Sequence, residues 1–113
     1  MDRIERTIRV RELAELINKL STCVYRRLDQ LEETLEAETI LASVREMVEP
    51  VKEDILKSVA QSEQWIDWVG RLDYGCSDQV LEALCKEGDC ILVLTLHVSL
   101  LADGLARVIE QQG

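Results

Sequence analysis

Four thiols, one imidazole and a run of carboxylates are the groups in this 113-residue chain whose types and spacing admit chemistry. Cys23, Cys76, Cys85 and Cys90 are the thiols, and His97 follows Cys90 by seven residues, which on a helix is the same face. Zinc takes four such ligands in a tetrahedron, and its sites announce themselves as closely spaced ligand pairs. No CxxC or HxxxH pair occurs here, and the cysteine spacing is neither that of a zinc ribbon nor that of a thioredoxin. In a reducing compartment such cysteines act as small buried hydrophobes. The alternatives are a Cys85/Cys90 or Cys76/Cys90 disulfide, or a metal or redox cluster of the cysteines with His97. His97 lacks the neighbours of a catalytic dyad and reads as a buried or half-buried imidazole bonded to a carbonyl or to Thr95 or Ser99. No catalytic, cofactor-binding or metal residue is assigned on this basis.

The carboxylates gather at Glu32, Glu33, Glu36 and Glu38. Clustered carboxylates are what a hard cation requires. Glu32-Glu33-Thr34-Leu35-Glu36 resembles the EExxE half of the all-helical MazG-type pyrophosphohydrolases. That resemblance implies carboxylates on adjacent helices holding Mg²⁺ against a nucleoside triphosphate. The second ExxD element of that family is missing between Ala37 and Leu72, so the run reads first as a solvated acidic face. A second segment, Leu84-Cys85-Lys86-Glu87-Gly88-Asp89, resembles the LxxxGD core of a BH3 helix, which implies docking into an apolar groove. Glu87 stands where that motif carries an apolar anchor. Ordinary capping offers another reading, with Gly88 as a helix stop and Asp89 as the next helix start.

Any such group must be positioned by helices. The apolar residues from Ile4 to Leu35 recur at steps of three to five, with no Gly or Pro before position 50. This predicts one helix of about 30 residues. Ile40 to Leu72 repeats the pattern, and Glu49-Pro50 marks either a break between a short helix 40–49 and a longer one 50–73 or a kink in one arm over 40–73; the stripe keeps its phase through Pro50, which favours the kinked arm. The two form an antiparallel hairpin joined near Ala37–Thr39. Asp73–Asp78 reads as a turn with Ser77 or Asp78 as the next N-cap. A short helix 79–87 and a final helix from Asp89 to about Gln111 complete a C-terminal pair over 77–111. Residues 91–100, Ile91-Leu92-Val93-Leu94 onward, are β-branched enough to form a strand, but no partner strand exists. The expected fold is therefore all-α: a single helical domain, with a hairpin over 1–73 and a C-terminal helix pair, in a coiled-coil-like bundle.

Cys90 to Ala102 is interrupted only by Thr95, His97 and Ser99. At 13 residues it falls short of the roughly 20 that span a bilayer, which predicts burial by protein and no membrane. The net charge is −9 and Phe is absent, so the core is expected to be aliphatic. Phosphate backbones are repelled by such a body, which argues against nucleic acid. Seven basic side chains fall among the first 30 residues, and they are expected to pair with the acidic second arm or with another subunit. Charged residues follow Met1 where a signal peptide would be apolar, which points to a cytoplasmic protein. Trp65, Trp68, Arg71 and Leu72 form a candidate contact face, because Trp and Arg dominate binding hot spots. Leu92 and Leu96 join them from the apolar helix. The function expected is a non-enzymatic interaction or scaffold subunit that forms a homodimer or higher oligomer, or binds a partner helix. The competing class is a small helical enzyme or metal/redox protein using residues 32–38 or the Cys/His97 cluster.

Overall fold

The uninterrupted stripe of the first 35 residues produces one helix, α1 (Arg3–Leu35), in the computed structural model, which describes residues 2–36, 40–72 and 75–112. Asp2 caps it by accepting the Glu5 amide at 2.8 Å. Val10, Leu13, Ile17, Val24, Leu28, Leu31 and Leu35 are buried, and Ser21 fills the gap between Ile17 and Val24. The buried stripe thus keeps steps of three and four, the signature of long helices packed side by side. α2 (Ala42–Gly70) continues through Pro50 as one helix. Proline in a helix interior removes one backbone bond and costs about 3 kcal/mol, so the burial of Val48, Lys52, Ile55, Val59, Ser62, Trp65 and Val69 must outweigh it. The expected junction at Ala37–Thr39 lies outside the described residues.

The C-terminal helix pair is not formed. Residues 78–112 make one 35-residue helix, α3 (Asp78–Gln112). Ser77 is its cap, accepting the Val80 amide at 3.3 Å, as the turn chemistry predicted. Gly88 and Asp89 are neither a stop nor a start. A Cβ at Gly88 would lie 2.7 Å from Cζ2 of Trp65 and 2.9 Å from Cδ1 of Leu13. The glycine is there because an indole ring from α2 and a leucine from α1 press on the α3 backbone. Gly88→Ala gains helix propensity of about 1 kcal/mol but must displace the ring. A net loss of about 1–2 kcal/mol is expected from overpacking, read as a lower melting temperature.

Interhelix ion pairs reveal the helix directions. Arg3 meets Asp78 at 2.8 Å, Arg9 meets Asp89 at 2.8 Å, and Arg27 reaches Asp103 at 3.2 Å and Glu110 at 3.5 Å. α1 and α3 therefore run parallel, with α2 antiparallel to both. The basic side chains of α1 thus pair with α3 and not, as expected, with the acidic second arm. α1 also packs more extensively on α3 than on α2, so the hairpin is one edge of a three-helix bundle measuring 56 × 17 × 16 Å. One core cluster centres on Leu28, Leu31, Ile55, Val59, Ala102 and Ile109, the other on Val10, Leu13, Ile17, Trp65 and Leu84. Both are aliphatic but for Trp65 and Cys85. Between α2 and α3, the Ser62 and Thr95 hydroxyls meet at 2.9 Å, and Thr95 donates to the Ile91 carbonyl at 2.7 Å. That buried pair satisfies one of the polar interruptions of the apolar run.

Two pairs tie α1 to α2. Lys52, nearly covered, donates to Glu32, and that bond holds its proton on above the usual lysine range against the opposing effect of burial. Tyr25 lies beside Glu63, whose carboxylate, together with burial, pushes the phenol from 10.0 to about 12. A phenol whose folded pKa is raised stabilises the fold fully below about pH 10 and loses that contribution as pH climbs to about 12. Ultraviolet titration should therefore show tyrosinate forming at Tyr25 only near pH 12, and Tyr25→Phe should remove this late step.

Candidate functional site

α3 is apolar on two opposite faces. Positions Gly88, Thr95, Ala102 and Ile109, seven residues apart, are all buried. Diametrically opposite runs a second stripe, Lys86, Cys90, Val93, His97, Leu100, Gly104 and Arg107, at alternating steps of four and three, and every one of the seven is exposed. Leu94, Leu101 and Val108 flank it on one side and Leu96 on the other. Leu100 is 70% exposed and Val93 52%. The run from Cys90 to Ala102 carries no charge at all. α3 therefore carries two apolar faces, and the bundle covers one of them.

Gly104 lies on the same stripe, and no atom approaches within 4 Å of where its Cβ would be. A glycine inside a helix costs roughly 0.5–1 kcal/mol relative to alanine. Unlike Gly88, nothing within the chain repays it.

Beside Leu94 the stripe opens into a groove between α2 and α3, of about 600 Å³, with Trp65, Trp68, Ile91 and Leu94 as its apolar lining and Gln61, Gln64 and Glu87 as its polar members. Of the residues singled out from the sequence, Trp65 is 4% exposed and belongs to the core rather than to a contact face, because its ring closes on Gly88. Leu72 and Leu92 are half-buried against the same cluster. Trp68 is 49% exposed on the groove. Arg71 is exposed and turns back to Asp67 at 3.6 Å. Leu96 is exposed on the flank of the outer stripe. The six candidates are thus divided between core, groove and stripe. Val93, Leu94, Leu100, Leu101 and Val108 were passed over, although the heptad spacing from Lys86 to Arg107 carried the signal.

The chemically capable groups do not converge. The four cysteines are free. Cys85 faces inward, donating to the Arg6 carbonyl at 3.5 Å, while Cys90 and His97 face outward on the same continuous helix. With no turn at Gly88, Cys85 cannot swing to meet them. Burial, with the nearby charge of Asp89, pushes the Cys85 thiol up, which disfavours the reactive thiolate. At the acidic run, Glu32 is engaged by Lys52 and lines a shallow depression with Leu35, Glu36, Arg45 and Glu49. Glu38 lies outside the described residues. Among the described residues no group of three His, Cys, Asp or Glu is placed to hold a metal ion. Leu84 and Gly88 of the BH3-like segment are already occupied by the core, and Asp89 by Arg9.

By length and composition α3 is also the one described helix long and apolar enough to cross a membrane. Compared with known proteins, the chain matches no family model, no curated protein and no solved structure.

Proposed function

We propose that this chain is a non-enzymatic helical interaction subunit that self-associates through the outer face of α3. The single observation carrying the reading is the charge-free stripe over Cys90–Ala102, uncovered on a helix whose opposite face is already packed. Soluble chains rarely leave contiguous apolar patches of this kind without a use for them. Val93, Leu94, Leu96, Leu100, Leu101 and Val108 leave on the order of 500 Å² open, judged from their fractional exposures. One side of a standard interface is about 800 Å², rather more than half of it apolar.

A protein partner suits the face better than lipid. Basic residues rimming an apolar face are what draw a helix to anionic membranes, whereas Lys86 and Arg107 at the ends of this one stand beside Asp89, Asp103 and Glu110, in a chain of 22 acidic against 13 basic side chains. The mechanism is burial: a chain of net charge −9 approaches its copy most readily along a face where charge is absent. Size-exclusion chromatography with light scattering tests this. A mass of about twice 12.9 kDa at micromolar loading supports the reading, and 12.9 kDa at every loading removes it.

A further inference from the structure

We infer that the occupant of the outer α3 face is α3 of a second copy running antiparallel, the two chains related by a two-fold axis between His97 and Leu100. This rests on the self-association reading and specifies its geometry. Each orientation sets different residues face to face along the 86-90-93-97-100-104-107 stripe, whose four-three spacing is that of a left-handed coiled-coil seam.

A parallel, in-register pair stacks every residue on its own copy. Lys86 meets Lys86 and Arg107 meets Arg107, His97 meets His97, and Gly104 meets Gly104, leaving a void at one layer and like charges at both ends. Like charges facing each other and an unfilled layer both work against assembly. The antiparallel pair sets each residue against one whose number makes a sum near 197. His97 then lies on the partner's Leu100, and Val93 on the partner's Gly104. The bare backbone at Gly104 thus receives a β-branched side chain, which supplies the reason for a glycine that nothing within the chain explains.

The ends agree. Lys86 and Asp89 at one end of the stripe come beside Arg107 and Glu110 of the second chain, so that Lys86 finds Glu110 and Arg107 finds Asp89. All four are at least half exposed in the single chain. Their present partners, Glu82, Arg9, Asp103 and Arg27, are compatible with sharing, since each existing pair is a surface one. Antiparallel helices also set opposite dipole ends together. A two-fold closes after two copies and leaves no stripe exposed for further growth.

Disulfide trapping tests the orientation. Chains with Cys23→Ser, Cys76→Ser and Cys85→Ala retain only Cys90. One version is kept so, and the other also carries Arg107→Cys. Under mild thiol–disulfide exchange, the Arg107→Cys version is expected to form covalent dimers at least tenfold faster than the Cys90-only version. Peptide mapping should show the link running from position 107 to Cys90 of the other chain. Equal rates, or a dominant Cys90-to-Cys90 link, would establish the parallel register and overturn the inference. A species that sediments as a dimer but forms neither link would overturn it as well, by placing the interface elsewhere. A monomer at all concentrations would sink the self-association reading itself.

Discussion

Trp65→Ala is expected to lower the stability of the fold by about 3–5 kcal/mol, the cost of deleting a fully packed aromatic side chain. The ring is 4% exposed and sits within van der Waals reach of the Gly88 backbone and of Leu13, so it joins all three helices at one level. Its removal leaves a cavity bordered by Val10, Leu13, Ile17 and Leu84, on helices too long and regular to collapse into it. Trp68→Ala, three residues on, should cost no more than about 1 kcal/mol, because that ring is half in solvent. Paired urea titrations check both. Comparable losses for the two variants would mean that Trp65 is not the keystone described here.

Leu100→Glu is expected to weaken self-association by at least about 2 kcal/mol, roughly 30-fold, while leaving helical content unchanged. In the single chain this side chain is 70% exposed, and a surface substitution of that kind moves folding stability by less than about 0.5 kcal/mol. In the proposed assembly it stands at the centre of the seam, where the only ionisable side chain within one turn along the stripe is His97. A carboxylate there must be desolvated close to its own two-fold copy, and a single imidazole does not offset a burial that costs several kcal/mol. Circular dichroism and dissociation constants measured together separate the two effects. Loss of helix in the variant would place Leu100 in the core and contradict its assignment to the seam.

The sequence carried the all-helical class, the single first helix, passage through Pro50 and the cap at Ser77, since each rests on local periodicity or on the chemistry of one turn. It failed where a distant residue decides. Gly88-Asp89 satisfies the rules for a helix end and a helix start, and only Trp65, 23 positions away, explains the glycine without either. Trp65 and Trp68 share a face by spacing, yet one meets α3 backbone and the other meets solvent. Cys90 to Ala102 was legible as apolar on all sides. What periodicity blurred was that two interleaved seven-residue stripes, 88–109 inward and 86–107 outward, produce that appearance. Ser21, a small polar residue at a core position, likewise hid the regularity of α1.

Uncovered apolar surface on α3 is the centre of this account, and equilibrium sedimentation of the native chain across nanomolar to high micromolar concentration addresses it most directly. Burial of a standard-sized interface predicts a reversible monomer–dimer equilibrium, with the larger species at twice 12.9 kDa and populated in the micromolar range. A single species of 12.9 kDa over the whole range would contradict it.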